Sequence, residues 1–249
     1  MSNFKYIINS EYENRFKDFL LNIKSHFKDN KQTIHKARNE LKIIPFSDIQ
    51  TVVKSFKIPN KINQYIYGNF RDSKAKKSYN NSLKLGDFTP KPIGYIEFYE
   101  KDLLQESYFL SEKFEYDFTI RETLLNENFS NREQILREFA HFTYQLHENR
   151  IFHDDYSPGN ILIKKHENGH LFKIVDVNRM EFKELSSIER AKNFSKLWAK
   201  DDDLKIIGDE YSKYYLTDRD FISDVCHYSL QNKKIKNFKK RLRGQEIDW

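Results

Sequence analysis

Three oxygen-bearing side chains in the second half of the sequence have the types and the spacing to move a phosphoryl group. The stretch Ile151-Phe152-His153-Asp154-Asp155-Tyr156-Ser157-Pro158-Gly159-Asn160-Ile161-Leu162-Ile163 is followed, across one predicted hairpin, by Lys173-Ile174-Val175-Asp176-Val177-Asn178. Asp155 could receive the proton of an attacking hydroxyl, and Asn160, five positions later, could hold a magnesium ion. Asp176 would supply the main metal carboxylate. Magnesium prefers oxygen ligands and bridges phosphate oxygens, so an Asp and an Asn facing a nucleotide are chemically coherent. The spacing by itself is weak, because Asp and Asn are also the common capping residues of turns. Its context strengthens it: a predicted helix leads into His153, Pro158-Gly159 turns the chain, an apolar strand follows Asn160, and Asp176 ends a second one.

The elements that must position these residues follow from periodicity. Residues 130–149 carry Ile135, Phe139, Phe142 and Leu146 at helical spacing, which predicts a long buried helix. β-Branched runs on either side of Asn168-Gly169 predict strands at 161–163 and 172–177 joined by a tight turn. In the first half, Ser10 with Glu13 forms a capping-box pattern ahead of Phe16, Leu20, Ile23 and Phe27, predicting one amphipathic helix that ends near Asp29-Asn30. Short strands are expected at 33–34, 41–44, 51–56, 93–99 and around 107–110, with a helix over 73–85 stopped by Gly86. The composition changes near residues 111–114, dividing the chain into a sheet-rich lobe, 1–110, and a helical lobe, 111–249. The expected class is α+β and bilobal.

The Asp-x4-Asn spacing matches the catalytic loop of protein kinases, and Lys54 in Val52-Val53-Lys54 stands where such enzymes place the strand lysine that neutralises α- and β-phosphates. The plainer reading of Lys54 is an edge-strand lysine guarding against aggregation. Other kinase features are missing. The first glycine is Gly68, so no glycine-rich loop precedes Lys54; Lys36, Ala37, Arg38 and Asn39 stand there instead, with side chains that could hold phosphates. No Glu occurs between Phe56 and Ile96 to pair with Lys54, and Asn80 lies about where it would be sought. Asp154 replaces the Arg of the usual His-Arg-Asp triplet, and no proline follows Pro158 to build an Ala-Pro-Glu segment end. Too short a stretch follows Asp176 for a full peptide-binding lobe with an activation segment. These departures favour a compact sugar or small-molecule kinase over a signalling kinase, and leave as rival readings a small-molecule or protein kinase with another acceptor and a pseudokinase that only binds.

Composition excludes several other classes. Hydrophobic residues make up 38% and aromatics 15%, enough for a core despite a mean hydropathy of −0.82. Cys226 is the single cysteine, so neither an internal disulfide nor a cysteine metal site is expected. No signal-peptide core or run of about 18 apolar residues is seen, and a cytoplasmic location is expected. The net charge of +6 and pI near 9.0 suit an anionic partner. Lys233, Lys234, Lys236, Lys239, Lys240, Arg241 and Arg243 concentrate that charge and could attract anionic lipid headgroups by about 1 kcal/mol each, or merely form a solvated helix. Tyr211, Tyr214 and Tyr215 read as packing rather than base stacking, and no nucleic-acid motif accompanies them. His141, His147 and His153 form no recognised zinc motif, and Trp198 reads as a core or interface residue.

Several stretches together resemble the lipopolysaccharide core kinase family that phosphorylates Kdo or heptose sugars, itself related to protein kinases. They are Val53-Lys54 with Phe56 and Pro59, Ser73-Lys74-Ala75-Lys76 leading a helix, Pro90 to Tyr95, His153 to Leu162, and Val175 to Met180. The resemblance implies a bilobal protein-kinase-like fold, a small antiparallel sheet followed by a mainly helical lobe. It also implies ATP and Mg2+ as cofactors, and a core sugar acceptor, Kdo-lipid A or heptose, met at the cytoplasmic face of the inner membrane. By that resemblance Lys54 contacts phosphate, Asp155 is the catalytic base, and Asn160 and Asp176 are metal ligands. Arg179 lies close enough in sequence to Asp176 to reach an anionic substrate, beside the plain reading of a surface arginine.

Overall fold

The computed structural model describes residues 3–36 and 39–245, with the side chains of His35, Lys36 and Asn69 left out. The chain divides into two units, one up to Phe114 and one from Glu115 onward.

The first unit contains β1 (Asn3–Ile8), α1 (Glu13–Leu21), α2 (Ile23–Asp29), β2 (Thr33–Lys36), β3 (Glu40–Phe46), β4 (Ile49–Phe56), α3 (Lys61–Asn69), α4 (Lys74–Leu85), β5 (Pro92–Glu100) and β6 (Leu103–Glu112). The strands form one antiparallel sheet in the order β1-β5-β6-β4-β3-β2. Side-chain alternation gives it two apolar faces. Val53, Leu110, Ile96 and Tyr108 pack on one side with Phe16, Phe19, Leu20, Ile23 and Phe27 from α1 and α2. Phe56 and Tyr95 pack on the other with Ala75 and Tyr79 of α4. Each of the fully buried phenylalanines removes apolar surface worth about 2–3 kcal/mol.

Four features of this unit depart from the sequence reading. The N-terminal residues, read without a strand, form β1 on β5, with Asn3 opposite Tyr99 and Ile8 opposite Gly94. Gly94 permits that approach, since a Cβ there would meet the Ile7 carbonyl oxygen at 2.6 Å. The single first helix is two helices interrupted at Asn22, whose side chain donates to the Asp18 carbonyl at 2.9 Å and competes with the helical pattern. Ser10 is not the cap: it begins a short 3-10 turn capped by Asn9, whose Oδ1 accepts from the Glu11 N–H. Helix α3, capped by Asn60, was not anticipated. By contrast α4 runs as expected, with the Ser73 hydroxyl accepting from the Lys76 N–H at 3.1 Å and Gly86 at its end.

The second unit contains β7 (Phe118–Thr119), α5 (Ile120–Leu125), α6 (Arg132–Glu148), β8 (Ile151–His153), β9 (Ile161–His166), β10 (Gly169–Ile174), β11 (Met180–Phe182), α7 (Ser187–Phe194), α8 (Asp201–Ser212) and α9 (Phe221–Leu242). Helix α6 is its spine, burying Ile135, Leu136, Phe139, Ala140, Thr143 and Leu146. It is tied to α8 by an ion pair of Arg132 with the buried Asp203, 2.5 Å apart. The predicted hairpin is present, with Gly169 opposite His166 and Ile174 opposite Ile161. Strand β10 stops at Ile174, so Asp176 lies beyond the strand rather than at its end. The basic C-terminal run is helical through Leu242 in α9.

Candidate active site

The loop between β8 and β9 is organised around one buried imidazole. His153 Nδ1 accepts from the Asp155 N–H at 3.1 Å, so the ring proton sits on Nε2, which donates to the Val175 carbonyl at 3.0 Å. His153 therefore fastens the Asp155 backbone to the residue that precedes Asp176. Burial holds this ring below the ordinary imidazole value, although the nearby carboxylates of Asp176, Asp155 and Asp154 act in the opposite sense.

Asn160 closes the same loop. Its Nδ2 donates to the Asp155 carbonyl at 2.9 Å, and its own carbonyl accepts from the Val175 N–H at 2.9 Å. With the amide nitrogen committed, the carboxamide oxygen is the atom left for a cation. Asp176 has a left-handed backbone, φ 57°, and its Oδ1 accepts from Asn178 Nδ2. This strained conformation turns the chain out of the β10 direction at the carboxylate. The turn leads into β11, which pairs antiparallel with β8, placing Met180 opposite His153. Tyr156 anchors the loop from beneath: it is fully buried, and its hydroxyl lies 2.8 Å from Thr143 of α6.

Asp155, Asn160 and Asp176 are thus brought together through His153 and Val175. Arg179 joins them, with Nη1 at 3.8 Å from Asp155 Oδ2; both groups are about half exposed, so the ion pair itself is weak. Arg121, an exposed residue of α5 not singled out in the sequence, lies over the loop. Its guanidinium is so near Gly159 that a Cβ there would meet Nη2 at 2.5 Å. No spacing rule links Arg121 to the Asp-x4-Asn pattern, so only the fold could have revealed it.

The remaining candidates belong to the first unit. Lys54 is buried in β4, opposite Phe109 of β6, which is in turn opposite Tyr95 of β5. By the same register Phe56, Ser107 and Glu97 share that sheet face, so the buried Glu97 is a carboxylate on the Lys54 face of the sheet. It lies just past the interval in which a partner glutamate was sought, and on a strand rather than a helix. Glu97 accepts from the Tyr99 hydroxyl at 2.8 Å. Asn80 is half-buried on α4. Arg38 and the side chain of Lys36 lie outside the described residues.

Among the described residues, no group of three His, Cys, Asp or Glu side chains could hold a metal by itself. An Asp–Asn pair completed by phosphate oxygens needs no such group, and the all-oxygen donor set fits magnesium. Of the three tyrosines read as packing, Tyr211 is a core residue, whereas Tyr214 is 41% exposed.

A solved structure, WaaP in complex with acyl carrier protein, aligns with 93% of this chain and 99% of that chain, with a TM-score of 0.59 at 12% sequence identity. No model of a known protein family matches the chain, and no curated protein matches it in sequence. The likeness to WaaP establishes a bilobal protein-kinase-like α+β fold, an antiparallel sheet unit followed by a helical unit. The resemblance to lipopolysaccharide core kinases seen in the sequence holds at the level of this fold.

Proposed function

We propose that this chain is an ATP- and magnesium-dependent kinase that phosphorylates a sugar hydroxyl, of Kdo or heptose, in the lipopolysaccharide inner core. The observation that carries the reading is the gathering of Asp155, Asn160 and Asp176 around His153, on a fold shared with WaaP.

In this reading Asp155 accepts the proton of the attacking hydroxyl while the hydroxyl oxygen bonds to the γ-phosphorus and the bond to the bridging oxygen breaks, releasing ADP. The Asn160 carboxamide oxygen and the Asp176 carboxylate would hold magnesium. When bound, the ion neutralises charge developing on the phosphate oxygens. Lys54 contacts the α- and β-phosphates, with Glu97 supplying negative charge on its sheet face and Asn80 a polar neighbour on α4. Lys36 and Arg38 supply cationic side chains in place of glycine amides. Arg179 and Arg121 flank the loop and suit an acceptor that is itself anionic.

A membrane surface is the setting in which such an acceptor is met, and α9 supports it. Leu230, Ile235, Phe238 and Leu242 are 49–72% exposed. At 100° per residue Ile235, Phe238 and Leu242 fall within one 60° sector away from Val225 and Ser229, with Lys234 on one side of it and Lys239 on the other, while Leu230 lies apart beyond Lys234 and Arg241. A basic helix with an exposed apolar stripe is the arrangement that lies in an anionic lipid interface. Among the described residues no helix is long and apolar enough to cross a membrane. Incubating the protein with labelled ATP, magnesium and either Kdo-lipid A or a heptosylated core acceptor tests the activity. Label should pass to one of them, and transfer to neither would overturn the acceptor assignment.

A further inference from the structure

Behind the catalytic loop lies a chain of buried polar groups whose hydrogen bonds all run one way. It begins at Arg190, which can only donate. Arg190 Nη1 reaches Glu148 Oε1 at 2.7 Å and the Tyr211 hydroxyl oxygen at 3.1 Å, while Nε reaches the Leu185 carbonyl at 3.2 Å. The Tyr211 oxygen therefore accepts from Arg190, and its own proton is directed at His147 Nδ1, 2.8 Å away. An accepting Nδ1 places the imidazole proton on Nε2, 3.1 Å from Asn193 Oδ1. Asn193, with its oxygen engaged, presents Nδ2 to the His153 carbonyl at 2.9 Å.

Tyr211, His147, Asn193 and His153 are at most 1% exposed and Arg190 is 8% exposed, so water does not compete for these bonds. We propose that Arg190, Tyr211, His147 and Asn193 form a directional relay that holds the His153–Asp155 segment in place, making His147 and Tyr211 positioning residues for the reaction although neither reaches the substrate. The direction matters because a neutral imidazole and a carboxamide can each be turned around. If Tyr211 failed to donate, His147 could carry its proton on Nδ1 and Asn193 would swing its oxygen toward the His153 carbonyl. Two acceptors would then face each other without solvent, which buried polar groups do not tolerate. Burial also keeps His147 neutral, with its pKa lowered to about 3, as a relay that both accepts and donates requires.

The catalytic consequence rests on Asp155 being the base, but the structural consequence does not, so the test has two arms. Gln at position 147 places an amide nitrogen near the Nε2 site and can still donate to Asn193, whereas Asn reaches only as far as Nδ1. Tyr211→Phe keeps the ring against Phe194 and Phe221 and removes only the hydroxyl. Hydrogen exchange of the Asp155 amide, bonded to His153 Nδ1, is measured in folded protein. It should quicken about tenfold in His147→Asn and Tyr211→Phe, the size of one ordinary hydrogen bond, and change less than about twofold in His147→Gln. In transfer assays the first two variants should lose about tenfold in kcat with the KM for ATP nearly unchanged. Equal exchange in the Gln and Asn variants, or slow exchange in Tyr211→Phe, would reduce the relay to packing and overturn the proposal. Failure of the unaltered protein to phosphorylate any acceptor would instead sink the kinase reading, leaving the exchange result to decide the relay.

Discussion

Asn160 donates from its side chain to the backbone carbonyl of Asp155 at 2.9 Å, so the residue proposed to hold magnesium also closes the loop that carries the proposed base. One carboxamide would thus have two separable duties: its nitrogen shapes the turn, and its oxygen is the atom proposed for the metal.

That division can be tested with two substitutions. Asp155→Asn preserves the loop but removes the base, and should lower kcat by about 100- to 10,000-fold with little change in nucleotide affinity. Asn160→Ala removes both duties and should also weaken magnesium dependence. Initial rates at varied ATP and magnesium separate the two, and equal magnesium dependence in Asn160→Ala and the unaltered protein would contradict the metal role.

His147 gives stability a defined pH dependence. Its pKa is about 3 in the fold because burial penalises the charged ring, against about 6.5 when unfolded. Between those values the unfolded chain binds one more proton. Its contribution is therefore complete above pH 6.5 and declines by about 1.4 kcal/mol per pH unit as the pH falls toward 3. Urea unfolding at pH 7.5, 6 and 5 should show this slope reduced in His147→Gln by about that amount.

Asp203 is buried against Arg132, whose Nε also donates to the Thr123 carbonyl at 2.9 Å. Asp203→Ala leaves the guanidinium with an uncompensated charge in a poorly solvated position and should cost about 3–5 kcal/mol in urea unfolding. Pairing it with Arg132→Met should recover part of the loss, because both charges are then gone.

Helix α9 should bind vesicles by charge and apolar contact together. Phe238→Ser with Leu242→Ser, both at exposed sites, should leave unfolding midpoints unchanged while reducing sedimentation with vesicles containing an anionic phospholipid. Vesicles of neutral lipid should bind weakly at physiological salt. Equal binding to both vesicle types would argue against the basic residues having this role.

Much of the architecture could be read locally. Ser73 and Gly86 mark the ends of α4 because caps act on neighbouring backbone groups, and the 3.6-residue period of α6 is written in Ile135, Phe139, Phe142 and Leu146. The β9–β10 hairpin follows from turn chemistry of the same short range, although its two turn residues are Glu167 and Asn168 and Gly169 already pairs with His166. Features that depend on distant partners were not legible: β1 exists because Gly94 of β5 lets it approach. The break between α1 and α2 is local but was equally hidden, because Asn22 could also have continued a helix.

The candidate site divides along the same line. By itself the sequence determined which atoms could do chemistry, since the types and spacing of Asp155, Asn160 and Asp176 are properties of two short stretches. It also determined the basic character of the α9 sequence. Only the tertiary structure decided how the loop is held. Tyr211 lies 64 residues from His147, Asn193 lies 46 from it and 40 from His153, and Arg121 reaches Gly159 from another helix. No periodicity encodes those meetings. They arise because burial removes water from polar groups, and each group must then find its partner wherever the fold has brought one.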